Sequence, residues 1–242
     1  MSGLDPSYWS KYFKEVFCKQ INTFTDSIAS RVLPTFDQIE SEAEAAAEKE
    51  WERLGSLYSE YSDMGDVAER AQEAGIDYYQ SLEAVRQSLV NITATALYHM
   101  FEQQVFLFHR KQVLHPEEEN NIKLINMEEF KKRLAGFDIS IEAISAWSKV
   151  KELEVVANAV KHAEGRSAVE LLSLRPDLFD HPAIQKYPFF NFGISRPHVY
   201  MPLAGEDIYL TINDLNTYSS ALVSFWEELA DNIGRPCNDH PF

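Results

Sequence analysis

No proline interrupts the chain between residues 66 and 115, and strong helix formers fill most of that stretch. Apolar residues recur within it at intervals of three and four: Leu82, Val85, Leu89, Ile92, Ala96, Met100 and Phe101. That is the stripe of a helix burying one face. Gly75 or Asn91 is the point at which the stretch is expected to divide into two helices. A sheet-rich fold needs frequent turns, and nine glycines in 242 residues supply few of them. The pattern predicts an all-α fold.

The flanking sequence extends this reading. Residues 6–33 place Pro6 in a first helical turn and carry Tyr8, Trp9, Tyr12, Phe13, Val16 and Phe17 on one face. Pro34 stops them. Residues 36–62 turn Ile39, Ala43, Ala46, Ala47, Trp51, Leu54 and Leu57 inward. Their outward face is a solvated acidic one, with Glu40, Glu42, Glu44, Glu48, Glu50 and Glu52. The run 115–121, from His115 through Pro116 to Asn121, is a loop. A short helix is expected over 127–135, with Gly136 at the left-handed cap position. Another follows over 141–163, with Ile141, Ile144, Trp147, Val150, Leu153, Val156, Ala157 and Val160 at helical spacing. Ser167 is expected to cap a short helix over 168–173.

Between 174 and 210 the character changes. Pro176, Pro182, Pro188, Pro197 and Pro202 alternate with Phe179, Tyr187, Phe189, Phe190, Phe192 and Tyr200. This predicts an irregular, packed excursion with a small hairpin at 198–202 and 207–211. A last helix, about 213–231, starts at Asn213 or Asp214 and buries Leu215, Tyr218, Leu222, Phe225, Trp226 and Leu229. No repeat period or flexible linker is present, so 1–242 reads as one domain. The expected architecture is an antiparallel helical bundle over about 6–173, with the irregular C-terminal elaboration packed on it.

Thirty-eight acidic side chains against 22 basic ones give a net charge of -16. Such a chain is repelled by nucleic acid and by anionic membrane surfaces as a whole. Contact with RNA or DNA falls to a local basic pocket or to a partner. Cys18 and Cys237 make no disulfide framework and no Cys-x-x-Cys pair, which suits free thiols in a reducing cytosol. The first residues lack the basic start and apolar core of a secretory leader, and charges interrupt every apolar stretch. A soluble, cytoplasmic protein is expected.

No glycine-rich phosphate loop, dinucleotide-binding glycine pattern, His-Glu-x-x-His or Gly-x-Ser-x-Gly occurs. What remains is a set of polar residues within apolar helices. Glu154, Asn158 and His162 follow one another at spacings of four along one stripe, with Lys161 beside them. Lys161 and His162 also sit where cations offset a helix dipole. In the long helix His99, Glu102, Gln103 and Phe106 share a face, where buried polar groups need partners. Two such stripes in one bundle can build a single polar pocket. Arg110 to His115 and Arg175 to His181 are arginine–histidine pairs at helix ends. A carboxylate-bridged metal bundle wants Glu-x-x-His on two helices. The chain offers His99-x-x-Glu102, once and in reverse, so no metal or cofactor is assigned.

The stretch from Ala157 through Asn158 and Lys161 to His162 resembles the signature of the HEPN superfamily. These small all-helical proteins include many bacterial toxin and phage-defence ribonucleases. Their frame is an arginine, a gap of about four to six residues and a histidine, often with a polar residue directly after the arginine. Asn158 and His162 keep the frame, and Ala157 stands in the arginine's place. Arg110 to His115 keeps both ends, with Lys111 in the polar position. The resemblance implies metal-independent RNA cleavage at a site assembled across a homodimer. It also implies an antitoxin or a defence-complex subunit as protein partner. His162 would then move the proton at the ribose 2′-hydroxyl or the leaving oxygen. Asn158 would position it or the phosphate, and Lys161, Arg110 or Arg166 would supply the missing cation. His99 and Glu102 would complete the pocket. The alternative, drawn from the net charge and the acidic helix, is a non-catalytic helical protein that binds a protein partner through an acidic surface.

Overall fold

A computed structural model of the chain describes residues 5–57, 63–182 and 198–234. The Asp5 carboxylate opens the first helical run by accepting the Tyr8 N–H at 3.0 Å. Pro6 takes the first position, where no N–H is needed. The run passes through α1 (Pro6–Tyr12), a π-helical turn (Phe13–Cys18), α2 (Lys19–Ser27) and a second π turn (Ile28–Val32). Pro34 falls in the 3-10 turn Leu33–Phe36 that closes it. π winding disturbs the ordinary ladder, and Gln104 reaches in there from a neighbouring helix. Its buried amide donates to the Phe17 carbonyl at 3.3 Å, while its oxygen accepts the Trp226 indole N–H at 2.9 Å.

α3 (Ile39–Gly55) folds back antiparallel on α4 (Met64–Phe108), which is unbroken over 45 residues. Both expected division points fail to divide it. A Cβ on Gly75 would lie 3.0 Å from the Ala43 carbonyl oxygen and from the Ala47 side chain, so the bare glycine is what lets α3 and α4 touch. The Asn91 side chain is fully buried and shares its N–H groups among the carbonyls of Leu203, Ala204 and Ile208 at 3.2, 2.8 and 3.0 Å. It thereby holds a remote turn against the helix.

The stripe expected to be buried on α4 is only partly so. Val85 and Ile92 are 49% and 37% exposed, and Leu82, Leu89, Ala96 and Met100 are half-buried. The core takes a different phase of the same helix: Val90, Ala94, Leu97, Phe101, Val105 and Phe108. On the acidic helix Ile39, Ala43 and Leu54 are buried, but Trp51 and Leu57 are exposed, because α3 has only α4 to pack along.

α5 (Met127–Ala135) is capped by Asn126, whose side chain accepts the Glu129 N–H at 2.8 Å. Gly136 stays right-handed at φ -66, and Asp138 takes the left-handed conformation at φ 60. The expected helix over 141–163 begins late. Ile141–Ala143 is a 3-10 turn, Ile144 is extended, and α6 runs Trp147–His162. α7 (Arg166–Leu174) is capped by Gly165 and contains Ser167 rather than starting after it. No strand occurs among the described residues, so the expected hairpin is absent. The Asp207 carboxylate accepts the N–H groups of Tyr200 and Met201 at 2.7 and 2.6 Å, bonds that a paired strand would otherwise have taken. Pro202–Ala204 then turns, with Leu203 and Ala204 at positive φ. α8 (Ile212–Ile233) starts at a capping box between Thr211 and Asp214. Expectations for Tyr187, Pro188, Phe189, Phe190, Phe192, Pro197 and Cys237 fall outside the described residues.

The fold is an all-α bundle. Its core joins the first run, α4, α6 and α8 around Phe13, Phe17, Phe101, Phe108, Phe225 and Trp226. No helix among the described residues is long and apolar enough to cross a membrane.

Candidate functional site

α4 and α6 lie side by side and run in opposite directions, so their polar stripes share a seam. Tyr98, buried on α4, reaches across it. Burial, the charges of Glu154 and Glu102, and a hydrogen bond with Glu154 push its phenol far above the ordinary range. It therefore keeps its proton and donates to the Glu154 carboxylate. One residue on, the His99 Nδ1 stands 3.5 Å from the Glu102 carboxylate, with both side chains partly open to solvent.

Further along the seam, toward the end of α6, lies a cavity of about 370 Å³. Ile92 and Thr95 line it from α4, Val160 and Lys161 from α6. Tyr200, Met201 and Leu203 close the third side. Asn158 is half-buried, whereas Lys161 and His162 are exposed. His162 lies eight residues beyond Glu154, about 12 Å along the helix. The stripes thus meet through Tyr98–Glu154 and through the cavity, and no described contact joins His99 to His162. Ala157 is 1% exposed and belongs to the core, so the arginine position of the HEPN frame faces inward. α6 ends at Ala163, whose φ of 57 is rare for a residue with a Cβ.

The other arginine–histidine pairs build no such site. Arg110 is exposed in the π turn His109–Val113, and His115 donates its backbone N–H to Glu118 at 3.1 Å. Arg175 is a clamp, bound to Asp177, Glu152 and Asp214 at 2.6, 3.0 and 2.9 Å. Burial alone would push Glu152 and Asp214 up. Hydrogen bonds from Lys149, Arg175 and Tyr218 to Glu152, and from Thr211 and Arg175 to Asp214, hold both below their ordinary values. His181 packs edge-on against Tyr209, with ring centroids 5.1 Å apart.

Three buried polar residues belong to no motif of the sequence, and Asn91 and Gln104 are two of them. The third is His109, fully buried against Phe130, with Nε2 2.8 Å from the Leu124 carbonyl and Nδ1 without a partner. The carbonyl can only accept, so Nε2 carries the proton. Burial lowers the imidazole's pKa. All three fall on the core-facing phase of α4 or its continuation, a phase that only the docking of α6 and α8 picks out. Among the described residues no three His, Cys, Asp or Glu side chains stand together to hold a metal ion.

Comparison with protein-family models, curated proteins and solved structures gave no match for the chain.

Proposed function

We propose that the chain is a non-catalytic helical binding protein that engages a basic protein partner through the α3–α4 hairpin. The observation that carries this is the hairpin's surface. No other described element packs along α3, and Glu40, Glu44, Glu48 and Glu52 all point to solvent. Trp51, Ile76 and Tyr79 are exposed on the same pair of helices. Aromatic anchors ringed by charge are the usual makings of a docking face, with the charge steering approach and fixing register. The inward-facing Ala157 supports the same reading, because a guanidinium there would have to displace core. The test is a photo-crosslinker placed at position 48 in cells that make the protein natively. A basic protein should be trapped there, and the triple reversal Glu44→Lys, Glu48→Lys, Glu52→Lys should abolish trapping with little change in melting temperature. Trapping that survives the reversal overturns the reading.

One observation favours a second reading, HEPN-like RNA cleavage by a toxin or defence effector. His162 is exposed and has no hydrogen-bond or ion-pair partner among the described residues. Asn158 precedes it by one turn, and Lys161, next to it in the chain, lines the cavity. Such a site would be completed by a second copy of the chain, with the cation coming from Lys161. Metal-free cleavage of RNA should then fall by about two to four orders of magnitude in folded His162→Ala. Unchanged cleavage removes His162 from the chemistry.

A further inference from the structure

The cavity at the end of the α4–α6 seam has apolar walls that neither functional reading uses, although the second draws on its Lys161. Its volume, about 370 Å³, lies at the small end of ligand pockets, which run from about 300 to 1,000 Å³. Ile92, Val160, Met201 and Leu203 make its walls mostly apolar. Lys161 brings a cation to it and has no ion-pair partner among the described residues. The Thr95 hydroxyl donates to the Asn91 carbonyl at 3.1 Å, leaving its lone pairs as the only polarity it offers a ligand. Tyr200 also lines it, with the charge of Glu164 close enough to raise that phenol, so Lys161 is the cation that the lining offers an anion.

The walls also hold backbone strain. Ala163 and Leu203, at φ 57 and 59, both line the cavity. Residues forced into this region gather at ligand sites more than elsewhere, because the surrounding structure must hold them there.

We propose that this cavity binds a small organic anion with an apolar body, of the medium-chain carboxylate class. Its head group pairs with Lys161 and its chain lies between Ile92 and Leu203. Binding of sodium octanoate, 1-octanol and inorganic phosphate to the full chain, measured by titration calorimetry, tests it. The readout is binding alone, so the outcome is independent of both the crosslinking and the cleavage experiments. Octanoate should bind saturably at one site and about fivefold more tightly than octanol, the upper end of what an exposed ion pair provides. Phosphate alone should give no saturable heat. Lys161→Met should bring octanoate down to the affinity of octanol. Ile92→Trp, with its helix content checked by circular dichroism, should weaken both at least about tenfold by filling the apolar end. The proposal is overturned if octanoate shows no saturable binding or keeps its affinity in Lys161→Met. It is equally overturned if phosphate binds as tightly as octanoate.

Discussion

Asn91 ties the long helix to a turn more than a hundred residues away in the chain. It sits in mid-helix, where asparagine is a mediocre former, yet its amide answers three carbonyls of the turn that closes the cavity. Gln87 braces it, donating to its oxygen at 3.1 Å and to the Leu210 carbonyl at 2.9 Å. Truncation would strand those carbonyls in a dry interior. Asn91→Ala should therefore lose about 2–3 kcal/mol in urea unfolding, roughly 4–12 °C in melting temperature. Hydrogen exchange should accelerate first in residues 200–211. Asn91→Asp should be worse, because a carboxylate would face three carbonyl oxygens. A loss under about 0.5 kcal/mol for Asn91→Ala would show that water replaces the amide there.

At the scale of elements, helix existence was legible and helix phase was not. The period of 3.6 announces α1, α3, α4, α6 and α8 because each buries one side. On α4 two apolar stripes have the same period, one through Leu82, Val85, Leu89 and Ile92, the other through Val90, Ala94, Leu97 and Phe101. Nothing local ranks them. The choice is made by α6, α8 and the 203–208 turn, which dock on the second. The candidate site divides in the same way. The polar stripes of α4 and α6 could be read from spacing, and they do run along one seam. Tyr98 and the cavity could not, since one lies on the phase that only docking selects and the other needs a wall more than thirty residues further along the chain. Asn91 and Gly75 were misread for a related reason: helix propensity counts what a residue does to its own backbone and is blind to what it does for a neighbour.

For the whole molecule, acid should act in two stages of known sign. His109 is held neutral in the fold by burial. Arg133 nearby also opposes its protonation, while the Leu124 carbonyl and the charges of Glu129 and Glu118 favour it. Above about pH 6.5 the residue is neutral both folded and unfolded. Below that the unfolded chain takes up a proton that the fold resists, so stability falls until the pH passes the lower, folded value. Glu152 and Asp214 act later. Their depressed values stabilise the fold above about pH 4, and that contribution is lost as they protonate. Neutralising a net charge of -16 relieves self-repulsion and works the other way, so the informative quantity is a difference. Melting curves from pH 8 to 4 should show His109→Gln losing less stability than wild type between about pH 6.5 and 5. Parallel curves would mean that His109 finds room for its second proton. Beyond the point where Tyr78 donates to Glu42 at 3.0 Å, α4 continues to Met64 with α3 alongside it. At about 1.5 Å per residue this is a cantilever of roughly 20 Å, and a tilt of about 10° at its root sweeps the free end through some 3–4 Å. Any load borne by the α3 glutamates reaches the bundle as a bending moment, delivered along one unbroken beam toward the joint where Asn91 grips the 203–208 turn.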